Sequence, residues 1–214
     1  MDAMMVISTI AVAMGASWTA GINLYATVAV LGLMHRYADG FTLPGDLSVL
    51  GSHWVIWPAL GMYTIEFFAD KIPAVDTAWD AIHTFIRIPA GALLAAGALG
   101  GVPLELQMFA GLIGGSLALG SHSVKATTRI LAHSTGTSPV VSPVVSFLED
   151  VVVVGFMGIV AFSPVLAIFL LLLMLVGAFF FLKGCFNVTR KVFRSLFGRR
   201  SAAPPGGGMV ATAA

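Results

Sequence analysis

The sequence predicts an all-α integral membrane protein with about six membrane-spanning helices. Of its 214 residues, 58% are hydrophobic and only 10% are charged, and the mean hydropathy is +0.96, whereas about a quarter of the residues in a soluble domain are charged. The chain also holds 24 glycines, a composition typical of helices that approach one another closely in lipid. The first expected partner is therefore the lipid bilayer.

A membrane-spanning helix needs about 20 consecutive apolar residues. The candidate spans are residues 4–34, 53–69, 88–101, 104–121, 140–161 and 163–186. The first candidate is too long for one straight crossing, and Gly15, Ser17, Gly21 and Asn23 interrupt its middle. This pattern favours a tilt, a kink or a break in the helix.

The distribution of Lys and Arg predicts the orientation, because positive residues resist translocation across the membrane. With six spans and both termini in the cytoplasm, Arg36 is the one residue of the 11 Lys and Arg that faces outward. The net charge is only +1, which gives no reason to expect nucleic-acid binding.

Residues 1–187 are predicted to form the membrane domain, and residues 188–214 a cytoplasmic tail. Residues 183–200 mix cations with Phe and Leu, a pattern typical of a helix that lies on anionic lipid. The remainder of the tail is rich in Ala, Pro and Gly, which predicts disorder. A homo-oligomer is a further candidate assembly, because membrane helices often associate.

Pro73 and Pro89 bracket a predicted short amphipathic helix between the second and third spans. The polar face of this helix is a single stripe, formed by Asp76, Asp80, His83 and Arg87. One interpretation is a solvated surface stabilised by pairs four residues apart.

A second interpretation is a divalent metal site. Asp76, Asp80 and His83 offer two carboxylates and an imidazole, which are ligand types that divalent cations accept. The sequence names no other cofactor.

A complementary basic stripe follows the fourth span, where His122, Lys125, Arg129 and His133 share one helix face. Both stripes are predicted on the inner side, so they can pair as a structural lock. The alternative is an anion or phosphate site that uses Arg87 together with Lys125 and Arg129.

Carboxylates also fall inside apolar segments, at Glu66 and Asp70 near the end of the second span and at Glu149 and Asp150 in the fifth. Ionisable groups at membrane depth are costly, so they are functional candidates by default. With Asn23 and His122 near the expected helix breaks, they are predicted to line a polar path. Alternatively, Glu149 lies at the headgroup zone and reaches to water.

A weak internal repeat relates residues 4–101 to residues 104–186. The pattern G-x-S-x-x-x-G-x-N begins at Gly15, and G-x-S-x-x-x-G-x-H begins at Gly114. Two three-helix halves would have opposite orientations, which is the inverted-repeat plan of many transporters. Small residues four apart also recur by chance in membrane helices.

Three segments resemble a known family. They are GINLYATVAVLGL at 21–33, the block 51–100 that contains EFFADKIPAVDTAWDAIHTFIRIPAGA, and SFLEDVVVV at 146–154. The chain resembles the bacterial membrane proteins grouped as domain of unknown function 4126, over roughly residues 15–165. The resemblance implies a multi-pass protein of the bacterial cytoplasmic membrane, and it assigns no catalytic residue.

Three functions fit these patterns. The first is a small transporter or channel for a cation, a proton or a small solute. The second is a membrane-embedded, metal-dependent enzyme that acts on lipid or phosphate groups, although the sequence has no NDxxD or DGxxAR element. The third is a scaffold or regulatory subunit that binds a partner or anionic lipid. The transporter or channel ranks first, and an enzyme ranks lower.

Overall fold

The computed structural model describes residues 2–197, apart from the side chains of residues 73, 74, 77 and 192–197. This part of the chain is helical and contains no strand. Its helices are α1 (Ala3–Ile22), α2 (Leu24–Tyr37), a 3₁₀ helix (Gly45–Gly51), α3 (His53–Ala69), α4 (Pro73–Ala98), α5 (Leu104–Ser134), α6 (Ser138–Phe162) and α7 (Pro164–Phe197). The predicted all-helical class is confirmed.

Five helices are long and apolar enough to cross a membrane, namely α1, residues 78–98 of α4, α5, α6 and residues 164–191 of α7. The predicted second span coincides with α3, but this helix has only 17 residues. The described chain is therefore a multi-pass membrane protein with five candidate crossings, compared with the six that the hydropathy pattern predicts.

The predicted first span, residues 4–34, is two helices, and the predicted interruption of this segment is a break at Asn23. Asn23 separates α1 from α2, and its backbone is extended, with φ −143° and ψ 100°. The Asn23 side chain accepts a hydrogen bond from the Ala26 N–H at 2.9 Å. Asparagine is among the best N-cap residues because its side chain satisfies one of the free N–H groups of the first helical turn. Asn23 therefore ends one helix and begins the next.

The contacts of α1 and α2 show that these two helices form a hairpin. Ser17 of α1 lies near Gly114, and the backbone oxygen of Ile22 contacts Lys125, so α1 runs parallel to α5. A short turn, residues 99–103, makes α4 antiparallel to α5.

The α2 segment runs with α4, because Tyr25 contacts His83 and Gly45 lies against Gly97. The helices α1 and α2 are consequently antiparallel. The start of α1 and the segment 38–52 therefore lie at the same end of the bundle. If residues 4–34 formed a single span, these two segments would lie at opposite ends. We call the shared end of the bundle end A, and we call the opposite end, with the turns at 70–72 and 135–137, end B.

The predicted short amphipathic helix and the predicted third span are a single helix, α4, with Pro89 inside it. The expectation that Pro89 bounds a helix was wrong. An interior proline removes one backbone hydrogen bond, but membrane helices tolerate this because neighbouring helices satisfy the freed group. The polar stripe at 76–87 therefore continues directly into a candidate span.

Small residues bring α1, α4 and α5 into close contact. The Ser17 hydroxyl donates to the Gly91 carbonyl at 2.8 Å. A Cβ atom at Gly21 would lie 2.0 Å from the Ser121 hydroxyl oxygen and 2.2 Å from the Ala118 carbonyl oxygen. Only glycine fits at this crossing of α1 and α5, as expected where helix backbones approach each other in lipid.

The predicted boundary at residue 187 lies inside α7, which continues to Phe197. The rest of the predicted tail, residues 198–214, is outside the described residues.

The two halves of the predicted internal repeat differ in their helices, since residues 4–101 contain four α-helices and residues 104–186 contain three. The first copy of the repeated pattern ends at a helix break, and the second lies within the continuous α5. The inverted repeat therefore stays a prediction.

Candidate functional site

A buried ionic cluster lies where α3, α4, α5 and α6 meet near end B. It consists of six carboxylates and three cations: Glu66, Asp70, Asp76, Asp80, Glu149, Asp150, Arg87, Lys125 and Arg129. All except Glu149 expose 8% or less of their surface, and the Glu149 side chain exposes 13%. A charge is rarely buried in protein unless it is paired, so the partners of each group define the site.

Arg129 contacts four of the carboxylates. Its Nη1 atom lies 2.6 Å from Asp76, and its Nη2 atom lies 3.0 Å from Asp70 and 3.3 Å from Glu149. The remaining contact joins Nε to Asp80 at 3.2 Å. The planar guanidinium fork is suited to several carboxylates at once, so Arg129 links α5 to α4, to α6 and to the turn after α3.

Lys125, one helical turn earlier on α5, is surrounded by oxygen atoms. The Nζ atom lies 3.0 Å from Asp70 and 3.4 Å from Glu149. It also donates to the backbone carbonyl of Ile22 at 3.1 Å. This last contact places the ammonium group against the C-terminal end of α1, where free carbonyl groups favour a cation.

Arg87 of α4 joins the acids to His122. Its guanidinium contacts Glu66 and lies 2.8 Å from Asp80, and Nη1 also donates to His122 Nδ1 at 3.1 Å. Because a guanidinium only donates, His122 Nδ1 is the acceptor and the proton of the neutral ring is on Nε2. That nitrogen donates to the Thr84 hydroxyl at 2.6 Å.

Asp150 stands apart from the arginines. Its Oδ1 atom accepts a hydrogen bond from Asn23 Nδ2 at 3.0 Å. Outside the spans, Lys71, which follows α3, interacts electrostatically with Asp150. Burial lowers the pKa of the Lys71 amine, and the Asp150 carboxylate opposes that change.

The cluster holds three more carboxylates than cations. Four carboxylate oxygens have no hydrogen-bond partner among the described residues, namely Glu66 Oε2, Asp70 Oδ1, Asp80 Oδ2 and Asp150 Oδ2. The Nε donors of Arg87 and Arg129 have none either, although Arg129 Nε lies 3.2 Å from Asp80 Oδ2. Glu66 is completely buried. Each of these oxygens can therefore accept a proton or contact a cation without first breaking a hydrogen bond.

The predicted metal ligands Asp76, Asp80 and His83 are engaged elsewhere. Asp76 and Asp80 contact Arg129, and the His83 ring accepts from or donates to the Tyr25 hydroxyl at 3.1 Å. Among the described residues, the structure groups no three His, Cys, Asp or Glu side chains that could hold a metal ion. The structure thus does not assemble this set as a metal centre.

The acidic stripe of α4 and the basic stripe of α5 face each other, as the lock interpretation expects. The solvated-surface interpretation is wrong, because Asp76 and Arg87 are completely buried.

The two adjacent acids of α6, Glu149 and Asp150, point in different directions, as expected for neighbouring residues on a helix. Glu149 contacts Lys125 and Arg129, and Asp150 contacts Asn23.

Sequence reasoning missed three serines on α6. Ser138, Ser142 and Ser146 expose 4% or less and share a helix face with Asp150. A signal was present, because the segment SPVVSPVVS repeats every four residues from 138 to 146. We call these three residues the serine stripe. The missed Tyr25 and Thr84 carry no comparable pattern.

The chain matches the model of the family described as "Domain of unknown function (DUF4126)" over residues 10–184. The chain belongs to this family. The matched region includes every residue of the ionic cluster, Asn23 and the serine stripe. No curated protein and no solved structure matches the chain. Membership in DUF4126 therefore confirms the resemblance, but it assigns no activity to the chain.

Proposed function

We propose that the protein is a small membrane transporter or channel that moves a cation, a proton or a small solute past the buried ionic cluster. The observation that carries this proposal is the imbalance of charge. Six carboxylates surround only three cations, and Asp80, Glu149 and Asp150 lie within candidate spans. Ionisable groups at membrane depth normally mark an ion or substrate pathway. A purely structural lock would be less costly with matched charges.

The partners of the carboxylates support a passing cation or proton. Glu66, Asp70 and Asp150 each leave one oxygen without a partner. An uncompensated carboxylate in a medium of low dielectric constant strongly attracts positive charge. A cation or proton that reached these buried oxygens from end B would bind them without displacing Arg87 or Arg129.

The orientation that we propose follows the positive-inside rule. Lys71, Lys125 and Arg129 lie near end B, and Arg36 lies near end A. End B therefore faces the cytoplasm, and α7 carries Arg190 and Lys191 towards that side. In this arrangement the α1–α2 hairpin enters and leaves at end A, so α1 begins on the outer side and does not complete a crossing. The crossing from end A to end B is then made by α3, in spite of its 17 residues. This replaces the expectation that both termini are cytoplasmic.

The metal-dependent enzyme is supported less well, because the carboxylates of Asp76 and Asp80 contact arginine side chains. The scaffold hypothesis depends mainly on the basic tail, which extends beyond the described residues. The inverted repeat, if present, would strengthen the transporter hypothesis through its analogy with known transporter plans.

Flux in proteoliposomes tests the proposal. Purified protein is reconstituted, and proton, monovalent-cation and divalent-cation fluxes are compared between the native chain and Glu149→Gln. Glu105→Gln is the matched control, since Glu105 is an exposed acid in the first turn of α5 at end A. We expect Glu149→Gln to lower flux about tenfold, the equivalent of ~1.4 kcal/mol, and Glu105→Gln to leave it unchanged.

Two results would overturn the proposal. One is the absence of flux for every cation tested with well-reconstituted native protein. The other is equal flux for the native chain and Glu149→Gln, provided that the variant elutes as a folded species with native thermal stability.

A further inference from the structure

The serine stripe leads from end B to Asp150. Ser138 begins α6 at that end, and its hydroxyl lies 3.2 Å from the hydroxyl of Ser142 and 3.4 Å from His133 Nε2. Ser146 and Asp150 follow on the same face at further steps of four residues, each of which rises about 6 Å. A gap of this size is one that a single water molecule can bridge. The stripe is thus a line of hydroxyl groups inside the protein.

The line stops at Asp150. The same face of α6 continues with Val153, Met157 and Val160, which expose 1% or less. At this level a Cβ atom on Gly15 of α1 would lie only 3.0 Å from the Val160 side chain. In this conformation tight apolar packing closes the route beyond Asp150, and the carboxyl group communicates with end B. Transport of the proton to end A therefore requires this packing to open.

The Asp150 side chain is a buried group with an unused acceptor. It exposes 8% of its surface, and its Oδ2 atom has no hydrogen-bond partner among the described residues. The titratable and charged groups that face it are Tyr63, Asp70, Lys71, Lys125 and the adjacent Glu149. Lys125 of α5 already contacts Glu149. Its positive charge is therefore shared and is not available to Asp150 alone.

The chemistry around Asp150 suits a proton better than a metal cation. Metal cations such as Mg²⁺ and Ca²⁺ require about six or more oxygen ligands. Asn23 presents its Nδ2 donor to Asp150, because its oxygen is held by the Ala26 N–H. The Asp150 carboxylate thus lies beside the Asn23 N–H donor and the Tyr63 hydroxyl. This set is sufficient to hold a proton.

We infer that Asp150 is the proton-binding group of this protein and that the serine stripe carries protons between it and end B. This inference rests on the proposed transport function and names the proton as the transported species. On uptake, the Asp150 carboxylate gains one proton from water at end B. Each intervening hydroxyl or water passes one proton forward as it receives another, so none gains or loses a proton overall. The hydroxyl groups then rotate back before the next transfer.

Two measurements test this inference. Infrared difference spectra of reconstituted protein report whether a carboxylic acid C=O band appears on acidification. Proton uptake into liposomes is followed with an enclosed pH-sensitive dye. The variants are Asp150→Asn, Ser142→Ala and Ser142→Thr. Ser123→Ala is the control, because Ser123 lies on α5 and its hydroxyl donates to the Leu119 carbonyl of the same helix.

We expect Asp150→Asn to lose one C=O band and proton uptake together. Ser142→Ala should keep the band and slow uptake about tenfold, while Ser142→Thr, which restores a hydroxyl, and Ser123→Ala should behave as the native chain. An unchanged band and unchanged uptake in Asp150→Asn would overturn the inference, even if the native protein transports another ion. A band lost in Asp150→Asn without any native flux would support proton binding and overturn the proposed transport function.

Discussion

Asn23 Nδ2 donates to Asp150 Oδ1 at 3.0 Å, a hydrogen bond between residues 127 positions apart. The same Asn23 side chain caps α2 through its oxygen. One residue therefore ends α1, begins α2 and orients the carboxyl group in the middle of α6. The tip of the hairpin and the candidate proton site are a single structural unit.

Asn23→Ala should destabilise the folded protein by about 1–3 kcal/mol, because it removes a helix cap and leaves a buried carboxylate oxygen without its donor. Asn23→Ser keeps a capping oxygen and should cost about half as much. Thermal unfolding in detergent measures both variants. Equal destabilisation by the two substitutions would show that capping contributes nothing here.

Gly21→Ala should prevent native packing of α1 against α5, since the added Cβ would lie 2.2 Å from the Ala118 carbonyl oxygen. Overpacking of this kind costs about 1–3 kcal/mol or more. Gly155→Ala is the matched control, because a Cβ at that helical glycine has no neighbour within 4 Å. Detergent-solubilised yield and size-exclusion profiles compare the two, and similar profiles would contradict the close approach of the helices.

Arg129→Gln should destabilise the protein by about 3–5 kcal/mol, because breaking a buried ion pair leaves uncompensated charge. The double variant Arg129→Gln with Asp76→Asn should recover part of this loss. Arg190→Gln, on the exposed part of α7, should be neutral. Chemical unfolding monitored by tryptophan fluorescence gives these values. A double variant no more stable than Arg129→Gln would argue against the pairing of Asp76 with Arg129.

The hairpin makes a prediction about sidedness that a single first span does not make. In a Cys185→Ser background, single cysteines at Asp2→Cys and Asp46→Cys should react with a membrane-impermeant reagent from one side, and Ser134→Cys from the other. All three positions are exposed. Labelling of positions 2 and 46 from opposite sides would restore the single-span topology.

The hydropathy pattern predicts the helical membrane class well, because burial in lipid requires long apolar runs whatever the tertiary contacts. It predicts an interruption near Asn23 but not that α2 turns back along α1. It fails at Pro89, where neighbouring helices tolerate a residue that normally ends a helix. Both failures arise from interactions between segments, which local periodicity does not contain.

Local sequence patterns also predict one part of the candidate site, whereas another part depends on interactions between segments. Helical spacing predicts that Asp76 and Asp80 share a face and that Lys125 and Arg129 share another, and the sign of the charges suggests that the faces meet. The contacts of Asn23 with Asp150 and of Lys125 with the Ile22 carbonyl depend on the hairpin, so no spacing within one helix predicts them. The serine stripe was predictable from its four-residue repeat.

The partners of the ion pairs in the cluster are synthesised at different times. Asp70 precedes its partner Lys125 by 55 residues in the chain, and ribosomes add about 5–20 residues per second. The first carboxylates therefore reach the insertion machinery roughly 3–11 s before the α5 cations that neutralise them. During that interval water, bound protons or the translocation channel must accommodate their charge. Stable burial of the N-terminal half is thus coupled to the synthesis of α5.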